Sequence, residues 1–254
     1  MALHHRVDVP PVAGLVAAYG MEETSGTTVA DASGRGHTGV ARNVTRVAGR
    51  HGDALSFNGS DSWVTITDAP ALRLSTAMTV SAWVKPEDVA DWRAVVTREL
   101  EEATSASYAL YASDGTVPTG WLQTDTDGWA STFTVDGTSA LPINAWTHIA
   151  VTYDGSTARL YVNGQQAAQE PVTGDLYYDA GALRIGGNEI WGEFFDGVID
   201  EAGPGTSAIE IGRAPTVPIF SVRKGCPDRS TVTATNIRSL QHMKGPPGLR
   251  PTGM

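Results

Sequence analysis

The chain has 254 residues, 41% of them hydrophobic, with 28 glycines, 14 prolines and one cysteine, Cys226. That is enough for one large β-sandwich or two small domains, and a single cysteine excludes an intrachain disulfide. The formal net charge of −10 argues against a nucleic-acid partner, which needs clustered cations, and no apolar run approaches the ~20 residues that span a bilayer.

The opening MALHHRVDVPPVAG lacks the apolar stretch of a signal peptide. Residues 1–13, with the adjacent His4 and His5, read as a linker or cloning remnant, and the chain as part of a larger exported protein. Strands are expected at 15–19, 54–57, 63–67, 78–85, 93–97, 108–112, 121–124 and 130–135, separated at short intervals by turn signals such as Asn58-Gly59. In 78–85 Met78, Val80, Ala82 and Val84 share one face, and Thr79, Ser81, Trp83 and Lys85 the other. Pro86 has no N–H to continue the ladder. Residues 99–103 form helix-forming but short chain, read as a loop or single turn.

The stretch WTHIAVTYDGSTARLYVNG, 146–164, is the most informative. Ile149, Val151 and Tyr153 alternate, Asp154-Gly155 turns the chain, Leu160 and Val162 alternate on the return, and Asn163-Gly164 turns it again. Strands at 182–186 and 194–200 complete an antiparallel, all-β pattern. From Arg213 on, seven basic residues meet one acid, Asp228, a net +6 that leaves −16 before it. Residues 212–254, rich in Pro, Ser, Thr and Gly, are expected to be a basic disordered tail.

Sugar-binding modules stack pyranose rings on indole or phenol faces. Trp92, Trp121, Trp129 and Trp191 fall in or near loops, Trp129 beside Asp127 and Trp191 beside Asn188 and Glu189. Trp121, Trp129, Trp191, Asp127 and Asn188 are therefore the candidate ligand-binding residues, the bland alternative being that the rings cover sheet edges. Alternating carboxylates, as a glycosidase needs on one strand, occur at Glu99 and Glu101 and at Asp125 and Asp127. Neither pair sits in a convincing catalytic strand, so no catalytic residue is assigned. His148 reads as structural, and Cys226 has no visible base.

Ordered motifs from 14 to 201 resemble the laminin-G-like, concanavalin A-like jelly-roll domains of bacterial multimodular secreted proteins. They are GLVAAY (14–19), DASG with Gly36 and Gly39, GDALSFNG (52–59), MTVSAWVK (78–85), the 146–164 hairpin and FDGVIDE (195–201). The resemblance implies a two-sheet jelly roll over 14–211, with Trp83 and Trp146 inside. It also implies a structural calcium ion, with Asp31 and Asp200 as side-chain ligands and Glu201, Gly34 and His37 as further donors, an oxygen-rich set of the kind calcium takes. One departure stands out: after Glu201 the chain runs Ala-Gly-Pro-Gly-Thr206, not expected to serve as a central strand, so the closing strand is expected to be replaced or lost and an edge exposed. By fold analogy the function is that of a monomeric, extracellular, non-catalytic recognition module for carbohydrate or another surface ligand. The rivals are a structural or adhesion domain without a small ligand and a glycoside hydrolase of the same fold.

Overall fold

The computed structural model describes residues 14–101, 104–126 and 129–205, all within the first of two units into which the chain divides, Met1–Val217. The segments expected as N-terminal linker, 1–13, and as basic tail, 212–254, lie outside the described residues. The first strands are β1 (Thr28–Val29), β2 (Gly39–Arg42), β3 (Thr45–Ala48), β4 (Asp53–Asn58), β5 (Trp63–Ile66), β6 (Met78–Pro86), β7 (Trp92–Glu99) and β8 (Ala106–Asp114). There follow β9 (Thr119–Thr126), β10 (Trp129–Asp136), β11 (Thr147–Tyr153), β12 (Thr157–Val162), β13 (Gln165–Pro171), β14 (Asp175–Leu176), β15 (Leu183–Ile185) and β16 (Asp196–Gly205).

Two antiparallel sheets face each other. The larger runs β1-β2-β5-β15-β7-β8-β9-β10, with β14 paired to the end of β9; the smaller runs β13-β12-β11-β6-β16-β4-β3. This is the antiparallel sandwich that the alternating sequence required. Between the sheets lies one core, drawn from Met78, Val80, Ala82 and Val84 of β6, Ile149, Val151 and Tyr153 of β11, and Tyr108, Leu110 and Ala112 of β8, among others. Each large side chain so removed from water contributes about 1.5–3 kcal/mol, set against the entropy of ordering the chain. Among the described residues no helix is long and apolar enough to cross a membrane.

The two expected turns differ. Asn163 (φ 50°) and Gly164 (φ 76°) form a two-residue connection between β12 and β13, the geometry of a primed hairpin turn. The Asp154 turn is longer, because Asp154 Oδ1 accepts the amides of Ser156 (3.0 Å) and Thr157 (2.9 Å) and holds the chain open to Thr157. β13 ends the smaller sheet with a bulge in its pairing and a mostly exposed sequence, QQAAQEP.

Three expectations are corrected. The segment after Glu201 is a strand: β16 continues to Gly205, with Gly203 opposite Ser81 and Pro204 opposite Val80 of β6. A bulge between Asp200 and Gly203 absorbs the change of direction, with Glu201 at φ 51°. On the other side of Ala202 stands Tyr19, which exchanges two backbone hydrogen bonds with it (2.8 and 3.2 Å). The expected opening strand at 15–19 is accordingly no ladder strand, and its tie at Tyr19 is an isolated bridge to Ala202. Third, Trp83 is not inside. Alternation on β6 sends it to the outer face of the smaller sheet, half-buried between His51 (5.9 Å) and His148 (5.3 Å) with the Arg50 guanidinium 5.0 Å over its ring.

The N-terminal segment packs so closely on β16 that a Cβ at Gly203 would fall 2.3 Å from the Ala17 carbonyl oxygen. Gly203→Ala should therefore cost about 1–3 kcal/mol, read as a lower urea midpoint at unchanged m-value. A neutral substitution would remove the closing strand from this position.

Candidate functional site

The strands of the larger sheet that point Val64, Ile66, Leu183, Ile185, Val96, Leu110, Leu122 and Val135 into the core must point their neighbours outward. Val40, Thr65, Arg184, Thr97, Ala109, Trp121 and Thr134 consequently stand in one register row across the outer face. Onto this row folds the connection between β15 and β16, residues 186–195. Gly186 opens it at φ +81°, where a Cβ would fall 2.1 Å from the Phe57 ring, so only glycine lets the chain leave β15 there.

The connection is tied down along its length. Arg184 donates from Nε to Glu99 Oε2 (2.8 Å), from Nη1 to Thr65 Oγ1 (2.6 Å) and from Nη2 to Glu189. The Glu189 amide donates to Glu99 Oε1 (2.7 Å). Phe194 stacks on Trp63 (5.6 Å, 11° between planes), and its carbonyl accepts from Arg93 Nη1 (3.2 Å). Arg42 and Arg184 lie over the Trp63 ring at 5.1 and 5.0 Å. At the tip, Asn188 is completely buried: its Oδ1 accepts the Trp191 amide (2.9 Å) and its Nδ2 donates to Glu193 Oε2 (2.8 Å).

So held, Trp191 is 45% exposed and stands edge-on to Trp121 of β9, with ring centroids 5.8 Å apart at 66°. Beside them Tyr111 donates to Glu193 Oε2 (2.9 Å) and meets the exposed Trp92 edge-on at 5.0 Å. Ala94 and Ala109, with Tyr111 and Trp121, make a small cluster separate from the core. The two alanines leave a low floor between taller rings. Burial pushes the Glu193 carboxyl above its ordinary range, although Asn188 and Tyr111 both donate to it. Burial and the Glu193 charge push the Tyr111 phenol up, so it stays a donor.

Of the candidate ligand-binding residues, Trp121 and Trp191 come together. Asn188 lies beneath them and braces the loop instead of facing outward. Asp127 lies outside the described residues, and so does the Trp129 side chain, whose backbone starts β10 opposite Thr126. Glu99 has both oxygens engaged in the buried tie to Arg184 and the Glu189 amide, and Glu101 is exposed. Trp92 was noted as a loop ring but left out of the candidate set, and Tyr111 and Glu193 were not singled out. Tyr111 carried a signal, because it lies three residues from Tyr108 on one strand and so must face the opposite side.

The expected metal donors do not converge. The Asp31 carboxylate accepts three backbone amides, those of Ala18 (3.1 Å) and Ser33 (2.9 Å) on Oδ1 and of His37 (2.9 Å) on Oδ2. Burial works to raise it, but the bonds from Ser33, His37 and Ala18 hold it below the usual carboxylate range. Gly34 turns this loop at φ 79°, and the His37 carbonyl accepts the Tyr19 hydroxyl (2.6 Å). Asp200 is elsewhere: fully buried, it accepts the His51 amide on Oδ2 (2.9 Å) and leaves Oδ1 without a partner. Burial raises the Asp200 carboxyl to about 6; burial with the charges of Asp200 and Glu22 raises Glu201 to about 7. Among the described residues no three His, Cys, Asp or Glu side chains form a ready metal cage.

Residues 58–203 match the family model Laminin_G_3, the concanavalin A-like lectin/glucanases superfamily, and the chain belongs to that family. Its fold is shared by the binding domain of Paraclostridial Mosquitocidal Protein 1 (17% identity, TM-score 0.59, covering 78% of this chain and 50% of that one). It is also shared by domain 4 of AbnA, a GH43 extracellular arabinanase from Geobacillus stearothermophilus solved with arabinotriose (22% identity, TM-score 0.58, 78% and 95%). A third likeness is to the botulinum neurotoxin type G receptor binding domain (14% identity, TM-score 0.56, 78% and 49%). This chain thus spans about half the length of the toxin binding domains. No curated protein sequence matches it.

Asn188→Ala should cost about 1–3 kcal/mol by leaving buried partners unanswered, and hydrogen exchange at the Trp191 amide should accelerate with it. Unchanged protection of that amide would contradict the bracing role.

Proposed function

We propose that this chain is a non-catalytic carbohydrate-recognition module of an exported protein, and that the Trp121–Trp191 pair is the platform on which a sugar ring stacks. The observation that carries the reading is an indole nearly half exposed at the tip of a connection braced from below by a completely buried asparagine. Exposing a large ring costs solvation, and a rigid one keeps its binding geometry without being ordered by the ligand. Weaker support comes from fold analogy, since the AbnA domain of this fold was solved with arabinotriose. The glycosidase reading loses ground because Glu99, the best-placed carboxylate of its strand, is locked to Arg184. Selective binding on a glycan array should fall by roughly 2 kcal/mol, about thirtyfold in Kd, in Trp191→Ala and in Trp121→Ala. Silence on every glycan would favour the adhesion-domain alternative.

We also propose that Asp200, one of the donors the family resemblance implies, supplies a side-chain oxygen to a calcium ion. The buried Asp200 Oδ1, which has no hydrogen-bond partner, supports this. Millimolar calcium should raise the Tm of the wild type and leave Asp200→Asn unmoved. Equal shifts in both proteins, or none in either, remove calcium from the reading.

A further inference from the structure

Resting on the carbohydrate reading, we infer that the ligand of the Trp121–Trp191 platform is a neutral glycan, a chain of uncharged sugars, and that this face works against uronates, sialylated sugars and sulfated sugars. The argument is the distribution of charge around the two rings. Glu193 sits under the Trp191 connection, with Oε2 held by Tyr111 and Asn188. Glu189, two residues before Trp191, is exposed but already paired with Arg184, so the uncompensated charge comes from Glu193 and from the edge strand. Asp136, also exposed, accepts from the Thr134 hydroxyl (3.1 Å), and Thr134 stands opposite Trp121. Carboxylates therefore approach the platform from the loop and from the edge strand.

The cations of the same face are engaged or lie away from the rings. Arg184 spends all three nitrogens on Glu99, Thr65 and Glu189, and its side chain is 10% exposed. Arg93 is held by Asp88 and the Phe194 carbonyl. Arg42 stacks over Trp63, at the Phe194 end of the connection. A sugar carboxylate or sulfate settling on Trp191 thus meets like charge, and no guanidinium described beside the rings is free to answer it. Such juxtaposition discriminates strongly between partners. A neutral sugar brings hydroxyl donors, which carboxylate oxygens accept well. The same logic makes binding insensitive to salt, since no net charge is neutralised.

The test sets neutral arabino-, xylo-, cello- and manno-oligosaccharides against oligogalacturonate, sialyllactose and heparin fragments on one array. Hits are followed by calorimetry at low and high sodium chloride with wild type, Trp191→Ala, Trp121→Ala and Glu193→Gln. The expected result is binding of a neutral probe, lost in both tryptophan variants, changing by less than about twofold with salt and at least about tenfold tighter than any acidic probe. Glu193→Gln keeps the shape of the carboxylate and should narrow that gap by admitting acidic probes. Acidic probes binding more tightly than neutral ones, lost in Trp191→Ala and weakened by salt, would overturn the inference while leaving the platform in place. Binding that survives both tryptophan variants, or none by either class of probe, overturns the platform and the inference together.

Discussion

A guanidinium taken out of water is costly unless its nitrogens find partners, and Arg184 is answered at all three, from three directions. Glu99 lies across the sheet, Thr65 on the strand beside it and Glu189 on the connection above. Removing one partner of such a buried group typically costs about 3–5 kcal/mol, so sheet and connection are bound into one unit. Because Leu183 and Ile185 on either side of it point into the core, the same three-residue strand anchors the hydrophobic interior and the outer face. That tie and the Trp63–Phe194 stack beyond it hold the connection on which the buried Asn188 then fixes the Trp191 amide.

Alternation made the fold legible. The two faces of β6 fell as the sequence implied, with Met78, Val80, Ala82 and Val84 inside and Trp83 on the side of Ser81 and Lys85. The family motif suggested a buried Trp83, and the period-two pattern the reverse; the pattern was the better guide because a one-residue change of face would expose the whole apolar set. The closing strand was missed for a related reason. Gly203 and Pro204 carry little strand propensity, but close backbone packing against Ala17 requires glycine at 203 and the pairing with β6 runs through both residues, so tertiary context outweighs propensity.

The site was legible only in part. Loop position marked Trp191 as a ring to watch, yet nothing local tied it to Trp121, seventy residues earlier in the chain; that meeting depends on sheet order. Asn188 looked like a ligand-facing amide because side chains of its type often are, and its burial under the loop is set by the bonds it closes. Asp31 shows the opposite lesson. Its glycine-rich surroundings suited a metal loop and an amide-binding turn equally, and what the structure shows there is three N–H donors at the carboxylate.

The outermost strand of the smaller sheet has a consequence for life in a crowded polypeptide. β13 offers glutamines, a glutamate and a terminal proline along its free margin, and its pairing with β12 is interrupted by a bulge. An incoming segment seeking to zip on would find no greasy strip to cover and a gap where Pro171 lacks a donor. That margin of the smaller sheet is therefore closed to a neighbour that would extend it.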